Sequence, residues 1–567
     1  MRTMFLSVLA LIGLVGPVAQ GLAQEGTQPV AVVSFCGYER FFKSIDVLGK
    51  LAGNDNLGAG AEATVKMMTG GQGLAGLDTK RPWGAVAELK GGVPSVYGVL
   101  PVTDLKALVQ VLQQMQVAIR DAGDGIYNLQ IQSTSLFVKQ QGDWAYIAAD
   151  AEQLKSPLPN PAKGFGDLPE KYLVAVRLNA ANVPPEMLAP YLQMLEMTFQ
   201  ANLQQADGET AADFEARKAI AEKSLAEARR ALNDLDQLTL GFAVDDQTHS
   251  AYLDLLATAK PGTAMAQRFA KSKSMRTHFA GFADPTALFS GMWAALIEEN
   301  GQAQALAALD AAEAKWLRSL ETKSLSADVS KKLSQSIRDV MDVAKATVKS
   351  GKAEGGAAAY YQPSSLTVVL GGAISDGAKL EKVLGDVLEL ARKEDPAFAK
   401  VVKLDVEEFQ GLKLHRAKGP LPDSADPNMI KVFGRELELV VALGAQSGYL
   451  AVGPDSLKIL KQVIAKSQSE GEREVPPLRL SLALGAPATL AADVGEEAQR
   501  PQAQVVAALL SQSRGLDHLS LIATPVDNGT RVRLEVEEGI LKILGTLVQA
   551  AAPGVGAPPP QGGAKPF

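Results

Sequence analysis

The chain is poor in the residues that most often carry covalent or metal chemistry. Its 567 residues include a single cysteine, Cys36, and only four histidines. One cysteine excludes an intrachain disulfide, so stability must come from packing. Cys36 is either a reactive thiol or, as we expect, a small buried hydrophobic residue. The histidines are scattered and form no H-E-x-x-H or paired-cysteine pattern, so no metal site is predicted.

An excess of positive charge is also lacking. The net charge is −7, with 47% apolar and 21% charged residues, which is ordinary for a globular chain. Mild acidity argues against nucleic acid as a partner and equally against an anionic membrane surface. The length predicts two to four domains, each large enough to bury a core.

Long apolar segments are absent except at the start of the chain. Arg2 precedes an apolar stretch from Met4 to Val15, and small residues follow at Gly21–Ala23. This layout predicts a signal peptide over residues 1–23 with cleavage before Gln24, the alternative being a retained N-terminal anchor. No other run of 18 or more apolar residues occurs, so no integral membrane span is predicted for the mature chain, which we expect to be exported to the periplasm, cell surface or medium.

Sequence motifs of common enzymes are missing as well. No nucleophile elbow of the form G-x-S-x-G and no Walker loop occurs. Residues 71–76 match the letters of G-x-G-x-x-G. A dinucleotide loop must follow a strand and open a helix, whereas here a helical stretch precedes the glycines and Arg81-Pro82 follows. We therefore interpret 71–76 as a flexible connection, and no cofactor is predicted.

Adjacent carboxylates are present but give no catalytic pair. Neighbours on a strand point to opposite faces, so sequence adjacency is weak evidence for acid/base chemistry. Asp245-Asp246 lies in a predicted hairpin turn, and Asp527-Asn-Gly has the same turn character in a later segment. One conditional hypothesis remains: His249 and His518, with Asp246 and Asp527, would bind a divalent ion if the fold brought them together.

The clearest positive feature is an internal repeat. Leu235-Asp-Gln-Leu-Thr-Leu240 returns as Leu516-Asp-His-Leu-Ser-Leu521, and the register continues without a gap from Asp246 to Asp527 and from Tyr252 to Arg533. This match predicts a tandem duplication. The expected organisation is a first module over residues 24–274, a second over 275–550, and a disordered Pro/Gly-rich tail over 551–567.

A hairpin followed by a helix is predicted early in the first half. Residues 83–88 and 95–100 alternate around a turn cluster at Lys90–Pro94. Thr103 or Asp104 then caps a helix over 105–115 with apolar residues at helical spacing.

The second half contains an equivalent step, with a strand at 366–370, a cap at Ser375-Asp376 and a helix through 380–387. Two short helices are expected at 151–154 and 455–464. Further strands are expected at 127–131, 135–139, 144–148 and 173–178, and at 404–408, 437–441, 448–452 and 480–484.

Two helical features complete the expectation. Each half is predicted to open with a short strand that leads into an amphipathic helix. The expected core residues of this segment are Phe35, Phe41, Phe42 and Ile45 in the first half, and Phe282, Leu288, Phe289 and Met292 in the second. An aromatic ligand box is the alternative interpretation of these residues. Helical insertions are predicted at 213–235 and 301–349, where one module could clasp the other or a further chain.

Three segments carry a family resemblance. Thr69–Asp78, Arg81–Gly84 and Leu100–Asp104 resemble an uncharacterised family of exported proteins from planctomycete-type bacteria. The resemblance implies export and the tandem module. The family has no assigned activity, so it implies no site residue.

These observations predict an α+β fold, in which each module is an antiparallel sheet with helices packed on one face. No catalytic, cofactor-binding or metal-ligating residue is predicted. The expected function is a non-enzymatic binding or interaction protein with an unknown protein partner, the alternative is a carrier of lipids or other amphiphiles in an apolar groove, and an exported hydrolase is third. Surplus apolar residues in Leu437–Leu443 and Val505–Leu510 favour the carrier, although burial between modules explains them equally well.

Overall fold

Most of the chain is described by this computed structural model. The described residues are 29–90, 93–131, 134–156, 158–205, 210–323, 325–362, 365–394, 401–421, 425–471 and 473–551. The predicted signal peptide and all of the predicted tail except Ala551 lie outside these ranges.

Twenty-two strands are described. In the first half they are β1 (Pro29–Phe35), β2 (Trp83–Lys90), β3 (Val93–Pro101), β4 (Ala118–Asp121), β5 (Ile126–Ile131), β6 (Thr134–Gln141), β7 (Trp144–Ala148), β8 (Val174–Asn179), β9 (Leu235–Asp245) and β10 (Ser250–Ala259). In the second half they are β11 (Arg276–Thr277), β12 (Phe289–Leu296), β13 (Lys352–Gln362), β14 (Ser365–Ala373), β15 (Val402–Phe409), β16 (Leu412–Pro420), β17 (Glu436–Leu443), β18 (Ser447–Val452), β19 (Arg473–Glu474), β20 (Leu478–Ala483), β21 (His518–Val526) and β22 (Gly529–Glu537).

The described helices fall between these strands. In the first half they are α1 (Tyr38–Leu51), α2 (Leu57–Met68), α3 (Leu105–Gln114), α4 (Pro161–Phe165), α5 (Leu168–Lys171), α6 (Pro185–Asn202), α7 (Ala211–Asp234) and α8 (Ala264–Ser272). In the second half they are α9 (Glu299–Glu321), α10 (Ala327–Lys349), α11 (Gly377–Glu394), α12 (Pro427–Phe433), α13 (Ser456–Glu470), α14 (Gly485–Val494), α15 (Arg500–Ser511) and α16 (Glu538–Ala551). None of them is long and apolar enough to cross a bilayer.

Twenty strands form one antiparallel sheet, while β11 and β19 pair separately. From one end, the neighbours are β4-β5-β6-β7-β3-β2-β1-β8-β9-β10, followed by β22-β21-β20-β12-β13-β14-β18-β17-β16-β15. The second run, read backwards, has the same connectivity as the first. This order is what a duplicated module would produce; the duplication and the boundary at residues 274/275 stay predictions.

The two halves meet through β10 and β22. The alignment that matches Leu235 with Leu516 also matches Leu253 with Leu534, and these two residues are cross-strand partners. They form the fourth of the nine pairs in the ladder from Ser250–Glu537 to Thr258–Gly529, next to the central pair Asp254–Arg533. Equivalent strands therefore join the halves into one continuous sheet. We call the paired strands β10 and β22 the junction.

Local sequence signals account for several elements. The predicted hairpin is confirmed, since β2 and β3 pair from Gly84–Val99 to Lys90–Val93. The Asp104 carboxylate accepts hydrogen bonds from the Lys106 and Ala107 amides at the start of α3. At the equivalent place in the second half, Asp376 accepts from the Lys379 amide at 2.9 Å. Side-chain caps of this kind stabilise the otherwise unpaired amides of a first helical turn.

The antiparallel sheet with helices is confirmed, but helices cover both of its faces rather than one. Alternate residues of β7 belong to different cores: Trp144 and Tyr146 pack with Phe165 and Leu168 of α4 and α5, whereas Ile147 packs with α3. All five residues of β7 are buried, so neither face of this strand is exposed to solvent. In the second half, α13 packs on β14 and β18 in the same manner as α4 and α5 on the first.

One predicted helix is wrong. In the second half, Phe289 and Met292 belong to strand β12, and Phe282 ends a 3₁₀ turn rather than a strand. Strand β12 pairs with β13 and β20, the position that β1 holds in the first half. Helix α1, by contrast, carries Phe41, Phe42 and Ile45 as predicted. The two segments therefore do not correspond residue by residue as expected.

Candidate functional site

The centre of the sheet has one face that is entirely apolar. Because paired residues of neighbouring strands point to the same side, the pairings define rows of side chains that cross the sheet. One row crosses nine strands from β8 to β14: Val174, Phe242, Leu253, Leu534, Leu521, Leu480, Gly291, Ala357 and Leu370. Nine strands span about 38 Å at the usual spacing between strands.

The rows on either side are also apolar. The first contains Val176, Leu240, Leu255, Val532, Ala523, Leu478, Trp293, Gly355 and Gly372. The second runs from β9 to β14 through Val244, Ala251, Val536, Leu519, Leu482, Phe289, Ala359 and Val368. We call these three rows the apolar face.

Part of the apolar face lies open at the junction. Six large aliphatic side chains on four adjacent strands, β8, β9, β10 and β22, are 37–45% exposed: Val176, Leu240, Leu253, Leu255 and Leu534 of the three rows, and Leu178 of the next row on the same side. We call these six residues the aliphatic patch. A contiguous exposed apolar patch often marks a binding site.

Two helices bound the aliphatic patch at one end. Leu51 of α1 and Leu541 of α16 pack with Ala251 in a small buried cluster, joined by Phe242 and Val536. The helices contact each other closely, since a Cβ added at Gly545 of α16 would lie 2.3 Å from the Ala52 carbonyl oxygen. A helix from each half therefore closes this end of the face, and the patch begins beyond them.

A groove lies at the other end of the apolar face. It has a volume of about 420 Å³ and runs between α14 and strands β13 and β14. Its lining is apolar: Leu288, Ala359, Leu366, Pro487, Leu490, Ala491, Val494 and Gly495. Ala359 belongs to the apolar face, so the groove and the aliphatic patch lie on the same side of the sheet, connected by the three rows.

The opposite side of the junction is polar. Asp254 is buried and forms a two-point ion pair with Arg533, with Nε–Oδ1 at 2.7 Å and a second nitrogen to Oδ2 at 2.9 Å. The Tyr172 hydroxyl donates to the same carboxylate at 3.2 Å, and the Arg533 guanidinium lies 3.6 Å from the centre of the Tyr252 ring. Burial, and after it the nearby Asp254 charge, raises the pKa of Tyr172 to about 12. At the junction, one side of the sheet therefore carries aliphatic side chains and the other carries a buried ion pair.

The conditional metal hypothesis is wrong in its geometry. His249 contacts Glu538 at 3.1 Å, and His518 contacts Glu537 at 3.2 Å, so both histidines lie at one end of the junction. Asp527 lies at the other end, where it pairs with Lys273 at 2.6 Å. Within the described ranges, no group of three or more His, Cys, Asp or Glu residues is arranged to hold a metal ion.

Turn chemistry explains the other polar motifs. The Asp245 carboxylate accepts from the Gln247 amide at 2.9 Å, which closes the β9–β10 turn. Gly76 has φ 83°, and a Cβ there would lie 2.2 Å from the Asp104 carbonyl oxygen at the start of α3. The glycine segment follows helix α2 and is followed by the turns before β2. It therefore lacks the strand–loop–helix context of a dinucleotide site.

The single cysteine is buried. Cys36 is 1% exposed at the end of β1, and burial raises the pKa of its thiol to about 11. A protonated, inaccessible thiol is a poor nucleophile, which supports the interpretation as a core residue.

Shifted carboxylate pKa values give no indication of a general acid. The hydrogen bond from Lys171 and the Arg177 guanidinium lower the pKa of Asp167 to about 2. The other shifted carboxylates among the described residues, Asp284, Asp342, Glu389, Asp527 and Glu538, also have lowered pKa values because each faces a cation or hydrogen-bond donors. A general acid would need a shift in the opposite direction.

The sequence predicts no binding role for the residues of the aliphatic patch. Of the two segments noted there for surplus apolar residues, 437–443 is strand β17 and 505–510 belongs to helix α15. No protein-family model, no curated protein and no solved structure matches this chain.

Proposed function

We propose that this chain is an exported, non-enzymatic binding protein that holds an amphiphile, such as a lipid or fatty acid, against its apolar face. The observation that carries the proposal is the aliphatic patch: Leu240, Leu253, Leu255 and Leu534 lie side by side and exposed at the junction. Leaving such surface in water is unfavourable by about 25 cal/mol per Å², so a ligand that covers it gains binding free energy.

The composition of the patch favours a hydrocarbon chain over a protein. Its six exposed members are all leucine or valine. Protein interfaces instead concentrate their binding energy in tryptophan, tyrosine and arginine, and leucine and valine are under-represented among such residues. The groove beneath α14 has an apolar lining and offers a second place for the end of a chain.

A protein partner is the second candidate. It is favoured by the openness and central position of the patch, which crosses from the first half (Leu253) to the second (Leu534). A partner covering this surface would contact both halves at once. Its binding would require aromatic anchors on the partner's side, because the patch supplies none.

Native mass spectrometry of the mature protein, purified without detergent from an exporting host, tests the proposal. We expect a reproducible excess mass that organic extraction identifies as an amphiphile. A clean mass of the chain alone, after expression in several hosts, would contradict the amphiphile and direct the search to protein partners.

Leu253→Asp tests the position of the site. A carboxylate in the middle of the patch should weaken binding of a dansylated fatty acid by tenfold or more, because its charge would have to lose water against hydrocarbon. Met67→Asp is the matched control, since Met67 is an exposed apolar residue on α2, outside the apolar face. Equal affinities of the two variants would place the ligand elsewhere.

A further inference from the structure

Four arginines lie on the polar side of the junction. Arg531 and Arg533 point to this side from β22, about 7 Å apart along the strand, beside Leu256 and Asp254 of β10. Arg177 lies on the same side of β8, where it donates to Thr239 and pairs with Asp167. Arg479 lies there too, exposed on β20, whose neighbour β21 separates it from β22. The chain as a whole is acidic, so this concentration of arginine needs a local explanation.

The nearest buried carboxylate is already saturated by other donors. Asp254 accepts two hydrogen bonds from Arg533 and a third from the Tyr172 hydroxyl. Glu535, the next residue on this side of β22, accepts from the Ser250 hydroxyl at 2.7 Å. Asp254 and Glu535 are therefore engaged by these donors, and neither of them forms an ion pair with Arg531.

Arg531 has an unsatisfied donor. Its Nε atom is buried from solvent, and no acceptor for it lies within the described part of the chain. On β21, its direct neighbour on the polar side is Thr524, whose hydroxyl is a further potential donor. A buried guanidinium nitrogen without an acceptor is destabilising, and in native proteins such a position is often completed by a water molecule, an ion or another bound group.

We propose that Arg531, supported by the Thr524 hydroxyl, binds a tetrahedral oxyanion of the phosphate or sulfate class on the polar side of the junction. A guanidinium presents paired N–H donors that match two oxygens of such an anion. The site lies on the side of the sheet opposite the aliphatic patch and does not depend on the proposed amphiphile.

Isothermal titration calorimetry with inorganic phosphate at low ionic strength tests the site. The wild-type chain should show saturable binding of one phosphate, weakened by added salt because the attraction is largely electrostatic. Arg531→Gln should weaken this binding about ten- to a hundredfold, since charge-assisted hydrogen bonds are lost. The control Arg338→Gln removes the same charge from an exposed helical position and should bind phosphate as the wild type does.

Further measurements identify the anion and guard against misfolding. Sulfate should compete with phosphate, whereas acetate at equal ionic strength should not; glycerol phosphate distinguishes an esterified phosphate from the free ion. Arg531→Lys keeps the charge but loses the paired donors, so it should bind with intermediate affinity. Absence of saturable phosphate or sulfate binding by the wild-type chain, or wild-type affinity in a folded Arg531→Gln variant, would overturn the proposal.

Discussion

His518 shows how a single residue connects β21 and β22, the last two strands of the chain, at the junction. Its Nδ1 lies 3.2 Å from Glu537 and 3.5 Å from Asp517, and its Nε2 lies 3.2 Å from the Pro285 carbonyl oxygen. The hydrogen bond to Glu537 is the main cause of a raised His518 pKa, with both carboxylate charges adding to it and burial opposing it. Protonated His518 is therefore an ionic link between β21, β22 and the Pro285 loop.

This link predicts a pH dependence of stability. Because the folded-state pKa is raised above the ordinary value of 6.5, protonated His518 contributes fully at pH values below 6.5, and its contribution is lost as pH rises through the folded pKa. His518→Gln should reduce the free energy of unfolding by about 1 kcal/mol at mildly acidic pH and by less at alkaline pH. Urea unfolding at several pH values measures this. A difference between variant and wild type that grows with pH would contradict it; Glu537→Gln, which removes the partner, should reproduce the expected trend.

At the scale of elements, two adjacent strands make room for one aromatic ring by lacking side chains. A Cβ at Gly356 of β13 would lie 2.3 Å from Phe282 Cγ, and one at Gly371 of β14 would lie 2.8 Å from the same ring. Phe282 is fully buried and stacks on Tyr449 of β18. The Phe282 ring therefore packs directly against the backbone of these two glycines, where any side chain would collide with it.

Gly356→Ala should therefore destabilise the chain by about 2 kcal/mol, because the added methyl group overpacks a rigid site. Gly385→Ala is the matched control within the second half. Gly385 lies in α11 with no atom within 4 Å of its ideal Cβ, so alanine there should stabilise by up to about 1 kcal/mol through helix propensity. Opposite signs in urea unfolding are the expected outcome; a loss of stability in both variants would show that glycine packing is not the cause.

The same elements show what sequence patterns can predict. The β2–β3 hairpin and the helices behind Asp104 and Asp376 carry strong local signals, namely alternation, turn residues and caps. For β12 the sequence wrongly predicts part of a helix. β12 is a central strand buried on both faces, so its apolar residues do not alternate, and Phe289 and Met292 have helical spacing. Strand β16 was not predicted.

At the scale of the whole molecule, the candidate site depends on pairings between distant segments. The aliphatic patch exists because β10 pairs with β22, which brings Leu253 beside Leu534. No local pattern contains this register, and either strand alone has the alternation of an ordinary sheet with one packed face. The repeat indicated that the two segments are alike, but not that they are neighbours. The segment Leu437–Leu443, in which the sequence has surplus apolar residues, belongs to strand β17. In the order of the sheet, β17 lies four strands beyond β12 and therefore outside the three rows of the apolar face.

The buried ion pair at the junction allows a prediction about how the halves are held together. Asp254→Ala should destabilise the chain by about 3 kcal/mol, since it leaves the Arg533 guanidinium partly buried without its counter-ion. The double variant Asp254→Ala/Arg533→Ala should lose less than the sum of the two single losses, because neither charge is then left alone. Arg268→Ala, which breaks the exposed pair with Glu298, is the control and should change stability by no more than about 0.5 kcal/mol. Strict additivity in urea unfolding would contradict the coupling.

The two outermost strands of the sheet have a consequence for the behaviour of many copies in solution. β4 is only four residues long and ends in Arg120 and Asp121. At the far end, β15 carries Glu407 and Glu408, and its pairing with β16 shifts register between Lys403 and Glu407. Short, charged or irregular edges are poor templates for a strand from another molecule. Neither edge of the sheet therefore favours pairing with another molecule. We expect this to protect the 20-stranded sheet from extending into fibrils at high concentration.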